Sequence, residues 1–168
     1  MDSKTAVTEA IKGSHTVFLV TNYFDAGIPG IEIQQGKNVA DAAKESNVSH
    51  LIFSSLLNIS ELTKGRLTQV AYFDEKAGIE KYIRETGVPS TFFLAGYFMS
   101  NYTMMFNKGP DGSYMLAYPV SANAQFPLFA AAEDTGKSLL SNLSPVTLTD
   151  SSEQGNMSKP SSRTARNF

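Results

Sequence analysis

Tyr72 and Lys76 stand in a Y-x-x-x-K spacing at the start of a stretch with helical periodicity. Residues four apart on a helix share one face, so the two side chains can reach the same spot. A phenol and an amine on one face are residue types fit for proton transfer to or from a bound substrate. Two hydroxyls, Ser54 and Ser55, stand at the end of the preceding strand. The spacing alone arises often by chance, and Tyr72 could equally be a packing residue at a helix start. Its position after a Ser-Ser strand end gives it weight. A second group, Thr21-Asn22-Tyr23-Phe24, follows an apolar strand at the carboxyl edge of the sheet, where open α/β sheets bind ligands. Aromatic cover of a bare sheet edge accounts for it equally well. A third group gathers Tyr97, Phe98, Met99, Tyr102, Met104, Met105 and Phe106, a Met-aromatic run that suits a core or a partner-facing surface. The sequence holds no cysteine and two histidines, His15 and His50, each at a strand start. A thiol nucleophile and a zinc-thiolate site are thereby excluded, and no metal site is expected.

The elements that must position these residues alternate in type. Asp2 or Ser3 can cap a helix to about Lys12, which Gly13 stops. His15–Thr21 is β-branched, aromatic and apolar on both faces, as a central parallel strand requires. A polar loop, Asn22–Gly30, leads into a helix from Ile31 to about Ser46, and Val48–Ser54 forms the second strand. After a long loop, the helix from about Phe73 to Thr86 places Ile79, Tyr82, Ile83 and Thr86 at i, i+3, i+4, i+7. Gly87 ends it and Ser90–Ala95 is the third strand. Beyond Tyr97 the pattern predicts a helix over Phe98–Phe106, a turn at Pro110-Asp111-Gly112, a strand Tyr114–Tyr118 and a helix Ala130–Leu143. Strands alternating with helices of this length specify βαβ units and a parallel sheet. The expected fold is therefore α/β, a partial Rossmann-like, doubly wound parallel sheet with flanking helices, over residues 1–143. From 144 to 168 the sequence turns to Ser, Thr, Asn and other polar residues and is expected to be a disordered tail, because it buries too little apolar surface to offset its ordering entropy.

A formal net charge of −2, with Lys and Arg scattered rather than striped, leaves no electrostatic footprint for direct nucleic-acid binding. The longest apolar runs are far short of a membrane span, and no secretion signal opens the chain. A cytoplasmic protein is expected, with the nucleus as a second location.

The blocks Thr16–Phe24, Gln35–Ala43, His50–Ser55, Asn58–Arg66, Phe73–Lys76 and Pro110–Tyr114, in this order and spacing, resemble the NmrA-like family of the atypical short-chain dehydrogenase/reductase group. The resemblance covers roughly residues 5 to 140. It implies NAD or NADP as cofactor, with Thr21, Asn22, Tyr23 and Lys76 lining its cleft, and Tyr97, Phe98 and Asn101 bordering a cavity for a small-molecule substrate. By likeness to the wider group, Tyr72 would exchange the substrate proton, Lys76 would assist it and hold the nicotinamide ribose, and Ser54 would orient the carbonyl. Lys76 matches the family pattern; Tyr72 departs from it, since many members carry His there. No G-x-x-G-x-x-G or G-x-G-x-x-G occurs, so the turn that grips the pyrophosphate in the family has no counterpart, and autonomous dinucleotide binding is not expected. Aligned by its blocks, the chain covers the central portion only and starts at the helix before the family's fourth strand. Thr16–Val20 would then be an open edge that a second copy or a protein partner covers. Three functions follow from the resemblance: an NAD(P)-dependent oxidoreductase, a non-catalytic NAD(P)-sensing transcriptional regulator, or a degenerate pseudoenzyme without cofactor.

Overall fold

The computed structural model describes residues 1–26, 28, 30–121, 123–143 and 164–165. These fall into two compact units, one of residues 1–94 joined by Thr164–Ala165, the other beginning at Ala95.

The first unit opens with α1 (Lys4–Ile11), whose N-cap Ser3 accepts a hydrogen bond from the Ala6 amide. It continues through β1 (Thr16–Leu19), a single turn α2 (Tyr23–Ala26), α3 (Ile31–Glu45), β2 (His50–Ser54), a second short turn α4 (Ile59–Leu62), α5 (Ala71–Thr86) and β3 (Ser90–Phe93). The three strands pair in parallel in the order β1-β2-β3, with Leu19 beside Phe53 and Phe53 beside Phe92. Strands added in one direction through right-handed crossovers put their helices on one face. The core bears this out: Leu19, Leu51, Phe53 and Phe92 from the sheet meet Val39, Ala40 and Ala43 of α3 and Ile79 and Ile83 of α5. Gly36 lets the two helices close, because a Cβ there would lie 2.5 Å from Ile79 Cγ2. Across the same interface the Tyr82 hydroxyl donates to Asp41 at 2.8 Å.

The expected α/β architecture with a parallel sheet and flanking helices is therefore present. The expected disordered tail lies outside the described residues except at Thr164–Ala165. Those two residues form a short parallel strand beside Phe92 and Phe93.

In the second unit the expected helix over Phe98–Phe106 is shorter. Tyr97–Phe98 form β4, paired in parallel with β7 (Leu128–Phe129), and α6 spans only Asn101–Met105. The strand expected over Tyr114–Tyr118 contracts to β6 (Tyr114–Met115), antiparallel to β5 (Asn107–Lys108) around the Pro110-Asp111-Gly112 turn. The last helix, α7 (Ala131–Leu143), follows the expected bounds within a residue.

Candidate functional site

Strands that run parallel end at a common edge, and their connections to the next helices cross it. The residues that tie those connections down come from the first turns of α5. Asp74 accepts from the Ile59 and Ser60 amides at 2.9 and 3.1 Å and from the Ser60 hydroxyl, and so fixes the start of α4. The Ser60 hydroxyl, followed by its amide, holds the Asp74 carboxyl below the usual carboxylate range. Glu75 accepts from the Gly30 amide at 3.0 Å, at the left-handed turn that starts α3. Lys76 reaches back to the end of β1.

There Lys76 Nζ donates to the Thr21 carbonyl at 2.7 Å and to Thr21 Oγ1 at 2.8 Å, and pairs with Glu32 Oε1 at 2.7 Å. Thr21 Oγ1 in turn donates to the same Glu32 oxygen at 2.6 Å. An ammonium has three N–H donors, so three acceptors saturate it. Glu32 is only 1 % exposed, and its Oε2 has no hydrogen-bond partner among the described residues. The Lys76 side chain keeps 13 % of its surface, above the Phe53 ring with Nζ 5.8 Å from the centroid.

The expected site residues are distributed as follows. Lys76 and Thr21 are brought into direct contact. Tyr72 lies one turn before Lys76 in an aromatic group, its ring centroid 6.1 Å from Tyr23, 5.8 Å from Phe24 and 4.7 Å from Phe73. Its hydroxyl makes no hydrogen bond among the described residues, to Lys76 or to any other. Asn22 accepts from the Phe24 amide at 3.1 Å and so starts the α2 turn. Ser54 closes β2 half-buried, without a side-chain hydrogen bond among the described residues, while the neighbouring Ser55 is buried with a 3.4 Å contact to the Leu56 carbonyl. Glu32 is a residue that sequence reasoning passed over. It falls on the stripe 32, 36, 39, 40, 43 that α3 buries, and a carboxylate on a buried stripe requires a partner.

In the second unit Tyr97, Phe98 and Asn101 occupy β4 and the start of α6. The Tyr97 and Tyr118 hydroxyls meet at 2.5 Å, and both lie within hydrogen-bond reach of Met105 Sδ, at 2.9 and 3.0 Å. Burial and the bond to Tyr97 push the Tyr118 phenol up to about 12. Among the described residues no group of His, Asp and Glu could hold a metal ion, and no helix is long and apolar enough to cross a membrane.

A parallel sheet with helices from βαβ crossovers, and charged and aromatic residues collected where β1 gives way to α3, define a Rossmann-like α/β protein. The chain belongs to the NmrA-like family, whose model matches residues 1–153. It is 32 % identical over 136 residues to the nitrogen metabolite repression protein nmrA of Emericella nidulans, covering 77 % of this chain and 37 % of that protein. It is 31 % identical over 150 residues to the NmrA-like family domain-containing oxidoreductase ptmS of Penicillium ochrochloron, covering 77 % and 44 %. The crystal structure of NmrA, a negative transcriptional regulator, in complex with NAD superposes with a TM-score of 0.72 at 28 % identity, over 83 % of this chain and 44 % of that one. This chain thus spans less than half the length of these relatives.

Proposed function

We propose that this chain supplies the nicotinamide side of an NAD(P)-dependent, NmrA-like oxidoreductase that acts on a small organic substrate. The observation that carries the reading is Lys76, held by Thr21 and Glu32 at the end of β1, with the Tyr72 and Tyr23 rings grouped one turn away. These residues fit the ribose and ring end of a dinucleotide: a partly exposed ammonium, a phenol without a hydrogen bond, and aromatic faces. They offer nothing for the pyrophosphate. When bound, NADP or NAD supplies the hydride. Thr21, Asn22, Tyr23 and Lys76 then line the cofactor, Ser54 orients the substrate and Tyr72 exchanges its proton. A cytoplasmic location goes with this reading. Calorimetry of NADPH and NADH with the 168-residue chain tests it. Micromolar binding, with turnover that Tyr72→Phe abolishes, would support it even without a Gly-rich turn; no binding at millimolar cofactor overturns it.

A second reading, a non-catalytic NAD(P)-sensing regulator, is favoured by one observation. All three Lys76 donors are spent within the protein, and the Tyr72 hydroxyl lies outside that network. Cofactor binding without turnover that responds to Tyr72→Phe would select it.

A further inference from the structure

We infer that Glu32 is the positioning residue of Lys76: it fixes the ammonium at the end of β1 by charge and, through the Thr21 hydroxyl, by a second contact. Two of the three acceptors of Lys76 belong to Thr21, and the Thr21 hydroxyl is itself oriented by Glu32. Removing the carboxylate therefore takes away one contact of Lys76 and frees the hydroxyl that makes a second, whereas removing the Thr21 hydroxyl leaves the ion pair and the bond to the Thr21 carbonyl. Glu32 enters from α3, Lys76 from α5 and Thr21 from the strand end, so the three form a clasp between both crossover helices and the edge they flank. Glu32 Oε2 is buried without a hydrogen-bond partner among the described residues, so the cost of burying this carboxylate is offset through its other oxygen, by Lys76 and the Thr21 hydroxyl. The clasp stands on geometry alone; its effect on cofactor affinity rests on the oxidoreductase reading above.

The role is read by acylating the 168-residue chain with an N-hydroxysuccinimide ester of acetate and measuring each lysine by mass spectrometry, with the exposed Lys12 and Lys44 as internal references. An amine held by three acceptors seldom reaches the ester, and one released from its carboxylate reaches it more often. Glu32→Gln is expected to raise the ratio of Lys76 to reference labelling by about tenfold or more, and Thr21→Val by no more than about threefold. A residue that acts only on overall stability would raise the Lys76 ratio no further than an unrelated core variant of equal urea midpoint, such as Ile83→Val, does. Where Glu32→Gln does not fold, Glu32→Asp keeps the charge but withdraws it by one methylene, and a rise of about threefold is expected. An unchanged Lys76 ratio in whichever of these variants folds overturns the assignment. Titration of NADPH into the same variants reads the consequence for the cofactor, expected as a loss of about tenfold in affinity for Glu32→Gln. If the unsubstituted chain binds no NADPH, the oxidoreductase reading fails while the labelling result still decides the role of Glu32.

Discussion

Glu32 and Lys76 illustrate how a buried ion pair constrains its own neighbourhood. Each charge is expensive to remove from water, and the pair holds because the geometry supplies four short contacts among three residues. Lys76→Met leaves Glu32 as an uncompensated buried carboxylate and is expected to cost about 3–5 kcal/mol of stability, read as a shift in urea midpoint. The double variant Glu32→Gln/Lys76→Met removes both charges and should be markedly more stable than Lys76→Met alone; two independent, additive losses would refute the coupling. His50 provides a pH dependence at the same scale. Burial, then the charge of His15, depresses its pKa below 6.5, and its Nε2 lies 2.9 Å from Thr91 Oγ1. Because the folded protein binds this proton less tightly than the unfolded chain, its contribution is constant above the unfolded value of 6.5. Stability then falls as pH drops from there towards the depressed value. Denaturation of the unsubstituted chain at pH 7.5 and pH 5.5 should show a larger loss than His50→Gln shows over the same interval; equal losses would contradict the assignment.

Elements long enough to carry a period were legible in the sequence; those held by distant partners were not. The apolar stripe of α5 and the β-branched runs of β1 and β2 depend on neighbours in sequence and on burial, which periodicity encodes. By contrast, Tyr97 and Phe98 have helix-compatible neighbours yet form a strand. The Tyr97 amide donates to the Pro127 carbonyl at 2.7 Å and the Met99 amide to Phe129 at 2.9 Å. No local pattern announces a partner that far along the chain. The turns α2 and α4 were hidden for another reason: each is one turn long, and the caps Asn22 and Asn58 read equally well as loop residues. Glu32 was legible in principle, as a charge on a stripe, but its partner came from another helix. Gly36, on the same stripe, supports an element-scale prediction. Ala in its place gains about 1 kcal/mol of helix propensity but puts a methyl against Ile79, where overpacking costs about 1–3 kcal/mol. Gly36→Ala should therefore be neutral to about 2 kcal/mol less stable, and combining it with Ile79→Ala should cost less than the sum of the two. Simple additivity in urea midpoints would show that the helices do not meet there.

At the scale of the molecule, the sheet is the part whose boundary asks for a partner. Among the described residues β1 is paired on one side only, with β2, so the N–H and C=O groups along its other side face no strand. Phe18 is 44 % exposed and Val20 54 % exposed on this strand and its extension, although the run Thr16–Val20 has the composition of a strand buried on both faces. Such an edge carries no Pro, no charged side chain and no bulge to deter another strand, which are the devices that keep edges unpaired. Strand addition satisfies the open groups and covers the two side chains at once. The 168-residue chain is therefore expected to self-associate through β1 as a dimer, or to capture another strand in its place. Phe18→Lys puts a charge on that edge without entering the core, because Phe18 faces away from Leu19 and the helices. In sedimentation velocity the unsubstituted chain should populate a dimer that Phe18→Lys converts to monomer. A monomer at high concentration before any substitution would show that the open edge of β1 does not drive association.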